Sequence, residues 1–137
     1  MPASAGYSGT PLAKKLGFKP SSHVFLLDPP QHYRALVEPL PDGLVFDRTA
    51  TTKTDIAHIF VTRREVLAKR LVALRQSLRA DCVLWVSWPK KSSQVPTTVT
   101  EDTIRELALP LGFVDVKVCA VDEVWSGLKL VVRRELR

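Results

Sequence analysis

The sequence predicts a three-layer α/β sandwich, a mostly parallel sheet that ends in an antiparallel strand pair and is covered by helices on both faces. Three observations predict it. Short apolar runs without strict alternation recur at residues 23–28, 55–62 and 82–88, which is how strands buried on both faces read. Helical patterns separate most of the first five strands, and such crossovers pair strands in parallel with a right-handed turn. The last quarter changes pattern. An alternating run over residues 113–121, a short loop containing Ser126-Gly127 and a second run over 128–134 predict an antiparallel pair.

Taken in order, Thr10 can cap a short helix that has Pro11 first, Leu12 and Leu16 on one stripe and Gly17 as its stop. The first strand, residues 23–28, closes on Asp28-Pro29-Pro30, where two residues without an N–H force the chain out of the sheet. A helix over 31–38 follows, with Tyr33, Leu36 and Val37 on one face and Pro39 as its stop. Pro41-Asp42-Gly43 marks a turn before a second strand at 44–47, and a Thr-rich loop leads to the third strand.

The strongest helical pattern covers 63–79. Leu67, Leu71, Leu74 and Leu78 form its apolar stripe, Val66 and Val72 widen it, and the remaining face carries Arg63, Arg64, Lys69, Arg70, Arg75 and Arg79 against Glu65. Next comes a central strand over 82–88 that runs straight into the basic loop Pro89-Lys90-Lys91-Ser92-Ser93. Thr98 and Glu101 have the capping-box spacing, so a helix should begin there, turn Ile104, Leu107, Ala108 and Leu111 inward and end at Gly112.

With 137 residues, 45% hydrophobic and 25% charged, the chain suits one domain over 1–137, of which 1–20 form an N-terminal arm and short helix. No apolar run approaches the roughly 20 residues of a membrane span, and residues 1–10 lack the pattern of a secretory signal, so a cytoplasmic setting is expected. Cys82 and Cys119 sit in apolar runs without a second ligand nearby, which predicts buried thiols and no metal site. A formal charge of +6 suits an anionic partner, either a small molecule or a nucleic acid. Zinc-finger cysteines, an aromatic RNA-binding signature and a long basic run are all missing, so nucleic acid is not favoured.

Parallel strands followed by an antiparallel finish are the pattern of the methyltransferase-like variant of the Rossmann fold, and by that analogy the strand order would be 2-1-3-4-6-5. Residues 6–17, 84–93 and 116–129 also resemble a bacterial family of small proteins known only as a domain of unknown function. The resemblance covers nearly the whole chain. It implies the Rossmann-like topology and brings no catalytic residues with it.

On this fold the loops at the carboxyl edge carry the chemistry. Lys90, Lys91, Ser92 and Ser93, ahead of a helix N-terminus expected at Thr98, combine ammonium groups, hydroxyls and free N–H groups suited to an anion. Asp28, Asp122, Glu123 and Trp125 are expected at the same edge, where the acids could pair with Lys90 or Lys91. Cofactor signatures are weak. S-adenosylmethionine needs glycines after the first strand and an acid after the second; Asp47 could serve as the acid, but Pro29 and Pro30 stand where the glycines belong. The same prolines disfavour NAD, and no GxxxxGK[ST] exists.

Nor is a catalytic group evident. Ser87 and Ser126 lack GxSxG spacing, and His23, His32 and His58 have no acid partner that the sequence reveals. No cofactor is therefore expected, and the reading leans away from an enzyme, toward a non-enzymatic binding or regulatory module of methyltransferase-like fold without the glycine-rich loop. The alternatives are an enzyme or binder for a phosphorylated or carboxylated small molecule, and a nucleic-acid binder using the basic helix face.

Overall fold

The computed structural model describes residues 9–137. Its elements run α1 (Leu12–Leu16), β1 (His23–Leu27), α2 (Tyr33–Val37), β2 (Val45–Asp47), β3 (Ile56–Phe60), α3 (Arg64–Ser77), β4 (Val83–Pro89), α4 (Glu101–Ala108), β5 (Phe113–Ala120) and β6 (Trp125–Val132). The six strands form one sheet in the order β2-β1-β3-β4-β6-β5, as the sequence predicts. Pairing is parallel from β2 through β4 and antiparallel for β4 with β6 and for β6 with β5.

Each face of the sheet has its own core. Ala57, Ile59, Leu84, Val86 and Trp88 point toward α3 and α4, whereas Val24, Ile56, Phe60 and Trp85 point toward α1 and α2. All five residues of β3 are buried, the reason its sequence shows no alternation. Trp85 is fully buried and donates its indole N–H to the Leu16 carbonyl at 3.0 Å, which fastens α1 over one end of the sheet. That carbonyl is available because the helix ends there, at Gly17 with φ +85°.

Three local expectations are corrected. Val72 is 45% exposed and does not widen the α3 stripe, whose buried residues are Leu67, Leu71 and Leu74, with Leu78 packed against the same core and Val66 half-buried. The α4 capping box is Thr100 with Thr103, not Thr98 with Glu101. Thr98 is used elsewhere: its hydroxyl oxygen accepts the Arg64 N–H at 2.7 Å and so caps α3. Finally, β6 begins at Trp125, because Ser126 and Gly127 pair with Trp88 and Ser87 instead of forming a loop. A Cβ on Gly127 would lie 3.3 Å from the Trp85 ring, so a side chain there would press on the core. Along β5 the register slips between Asp115 and Lys117, a bulge that leaves Val116 more than half exposed. Among the described residues no helix is long and apolar enough to cross a membrane.

The packing sets a stability contrast along α3. Leu71→Ala should cost about 2–5 kcal/mol, and Val72→Ala should stay within about 0.5 kcal/mol. Urea melts of the two variants check it.

Candidate functional site

The chain leaves β1 toward β2 on one side of the sheet and reaches β3 on the other, so the carboxyl ends of β1 and β3 flank the topological switch point. A cleft of about 330 Å³ opens there, lined by Asp28, Phe60, Thr62, Arg63, Arg70 and Trp125 among others. Asp28 turns out of β1 with φ +54° and takes the Arg70 guanidinium at 3.0 Å. Arg70 also has its Nε–H buried without a partner among the described residues. Phe60 and Trp125 meet edge to face with centroids 5.0 Å apart and give the cleft an aromatic wall.

A second pair lies at the same edge. Nε2 of His32, on the turn after β1, is 2.8 Å from Oδ2 of Asp122, on the loop after β5. The His32 side chain is 55% exposed and that of Asp122 only 12%. The N–H groups of Val124 and Trp125 hold Oδ1 of Asp122 at 2.8 and 2.7 Å. A carboxylate fixed in this way orients the ring that meets it. His23 pairs likewise with Asp47 at 2.8 Å, so the expectation that these histidines lack acid partners is corrected for both. Ninety residues separate His32 from Asp122, and nothing in the local sequence signals the contact.

The residues expected at this edge divide. Asp28 and Trp125 line the cleft, and Asp122 forms the pair beside it. Lys90 is next to Asp122, but its ammonium donates to the Asp122 backbone carbonyl at 2.6 Å, while its own N–H bonds the Val124 carbonyl at 2.7 Å. The expected pairing of Lys90 with an acid is thereby corrected, since the carboxylate is taken by His32. Lys91–Ser93 is a single turn of 3-10 helix in which the Ser93 hydroxyl donates to the Lys90 carbonyl. Lys91, Ser92 and Glu123 are exposed and are not among the cleft residues. The next regular helix starts only at Glu101, so the loop does not run directly into a helix N-terminus.

Arginines expected to form a basic face on residues 63–79 are engaged within the fold. Arg64 pairs with Glu106, Arg70 with Asp28, and Arg79 with both Asp55 and Asp81, while Arg75 donates to the Leu111 carbonyl.

Beneath the cleft a polar chain crosses the core. Tyr33 Oη is 2.9 Å from His58 Nδ1, and His58 Nε2 is 2.7 Å from Ser87 Oγ. His58 and Ser87 are fully buried, which closes this serine–histidine contact to any ligand. Burial lowers the His58 pKa to about 3, so the ring is neutral, with one nitrogen donating and the other accepting. Burial raises the Tyr33 phenol above its ordinary range. Phe60 stacks on His58 at 4.5 Å, which makes this chain the floor under the aromatic wall.

No family model matches the chain, and neither does any curated protein. Solved structures do. A SAM-dependent methyltransferase from Aquifex aeolicus superposes with a TM-score of 0.61 at 11% identity, over 89% of this chain and 88% of that one. PigF with SAH gives 0.55 at 8% identity over 82% and 56%, and LepI in complex with SAH and substrate analogue gives 0.55 at 12% over 97% and 49%. At these identities the likeness shows the fold, a methyltransferase-like Rossmann sheet. It also corrects the expectation of a non-enzymatic binding or regulatory module, because the structures that share this architecture include SAM-dependent methyltransferases and proteins that hold SAH.

The residues at the carboxyl edge do not fit an S-adenosyl nucleoside. Pro29 and Pro30 follow β1 where the backbone would have to approach the cofactor, and they line a separate hollow with Tyr33, Arg34 and Phe46. Asp47, the acid expected to meet a ribose, instead faces His23 at the start of β1.

The buried histidine sets a pH dependence. Unfolded, His58 takes a proton near pH ~6.5; folded, it does so only near pH 3. Between the two the unfolded state binds more protons, so this group's contribution is complete above about pH 6.5 and is lost as the pH falls toward 3. Urea melts between these limits should show a shallower acid loss for His58→Gln than for the wild type.

Proposed function

We propose that the chain is a methyltransferase-like enzyme that works at the switch-point cleft on a small molecule with an amino-acid end, exchanging a ligand proton through His32 and Asp122. One observation carries this reading: the wall of the cleft contains a buried Arg70 Nε–H without a partner among the described residues, beside the Asp28 carboxylate. A buried donor left unpaired costs roughly 1–3 kcal/mol until an acceptor meets it. The carboxylate of an amino-acid end supplies that acceptor, and its ammonium group faces Asp28. Phe60 and Trp125 offer the apolar remainder a flat surface.

Asp122 fixes the His32 ring through Nε2, which leaves Nδ1 to accept a proton from the ligand. Within this reading we place the chain in the bacterial family that residues 6–17, 84–93 and 116–129 resemble.

A thermal-shift panel of α-amino acids and metabolites that end in one checks the binding. Wild type should be stabilised by members of the panel, Arg70→Gln and Asp28→Asn should lose the effect, and His32→Ala should still bind but incorporate no solvent deuterium into the ligand. A panel without hits, or hits shared equally by Arg70→Gln, would overturn the proposal. S-adenosylmethionine should bind no tighter than a free α-amino acid, because Pro29 and Pro30 fill the nucleoside's approach. Calorimetric titration measures this, and binding tighter than that of the best free α-amino acid would contradict it.

A further inference from the structure

The opposite, amino edge of the sheet has its own concavity. A cavity of about 500 Å³ opens between the turn after α1, the starts of β3 and β4, and Lys129 on β6. Its two sides differ in charge. On one, Arg79 joins Asp55 at 3.1 Å and Asp81 at 2.9 Å, one guanidinium against two carboxylates, so this side keeps a net negative charge. On the other stand Lys19 and Lys129, and Lys117 is the register partner of Lys129 on β5. Among the described residues, none of the three lysines forms an ion pair.

Lys129 is also in register with the buried Trp85, on the face covered by α1, so its ammonium rises from the apolar core into this cavity. Burial first, then the charges of Lys117 and Lys19, hold that ammonium below the ordinary lysine range. Three like charges brought together with no ion-pair partner repel, and an anion placed among them removes the repulsion.

We propose that the amino-edge cavity binds a compact, multiply charged phosphate, the di- or triphosphate group of a small molecule, through Lys19, Lys117 and Lys129. Three ammonium groups call for more negative charge than one carboxylate carries. The Asp55–Arg79–Asp81 side puts carboxylates next to the lysines, which limits the anion to the lysine side and disfavours an extended polyanion lying across the cavity. Exposed Ser21, also in the cavity wall, adds a hydroxyl donor. The site is independent of the carboxyl-edge cleft, so either can fail without the other.

Isothermal titration at low salt with inorganic orthophosphate, pyrophosphate and triphosphate tests it. Affinity should rise with the charge of the probe. Lys117→Gln and Lys129→Gln should each weaken triphosphate by about tenfold, the scale of one charge-assisted hydrogen bond. Lys129→Arg should keep most of the binding, and Lys69→Gln, an exposed lysine on α3 across the sheet, should change nothing. Lys19 and Lys117 are exposed, so their variants report on binding even where Lys129→Gln fails to fold. No saturable triphosphate binding at millimolar concentration would overturn the proposal. So would an equal loss in Lys69→Gln, or a short single-stranded oligonucleotide that binds more tightly than triphosphate and depends on Lys69.

Discussion

The structure depends on an imidazole that has to stay neutral. His58 occupies the middle of β3, between β1 and β4, with no solvent contact and with both ring nitrogens committed, to Tyr33 on α2 and to Ser87 on β4. A charged ring there would lose its hydration with no counter-charge beside it among the described residues, and its two N–H donors would oblige both hydroxyls to accept. A neutral ring satisfies the chain and binds a helix and two strands at one point. Phe60 stacks on this ring, and Trp125 stands against Phe60, so the cleft wall inherits its position from the polar chain below.

Much of the architecture was legible because burial on both faces leaves a plain mark in sequence. β1, β3 and β4 read as apolar runs, Gly17 and Gly112 mark helix ends, and the alternating finish gave the antiparallel pair. Expectations failed where several residues could do one job. Thr97, Thr98 and Thr100 are alike chemically, and only the tertiary structure decides that Thr98 serves α3 while Thr100 caps α4. Asp28 and Trp125 could be placed at the edge because each lies at the end of a strand. Their setting could not: Arg70 reaches Asp28 across 42 residues and His32 reaches Asp122 across 90. Arg70 read as one charge of a basic helix face, and its pairing is a property of the crossover that seats α3 beside the end of β1.

Scaffold and site have separated in this chain. The fold superposes on a SAM-dependent methyltransferase and on proteins that hold SAH at 8 to 12% identity, while the turn after β1 carries prolines and a carboxylate bound to arginine. Packing constrains the first and chemistry the second, and the two need not change together. The central strands must stay apolar on both faces whatever is bound at their ends. The turn residues contact little of the core, so they can be replaced without disturbing it.

The bulge at Val116 bears on how copies of this protein behave at high concentration. β5 is the outermost strand, and a regular strand in that position offers a row of unmatched N–H and C=O groups to any neighbour. The slip between Asp115 and Lys117 interrupts that row, and Lys117 sets a charge between the two exposed valines, Val116 and Val118. A second sheet approaching this margin would find neither a continuous ladder nor an uncharged apolar strip. This margin of the sheet is therefore ended by an irregular backbone rather than by a covering element.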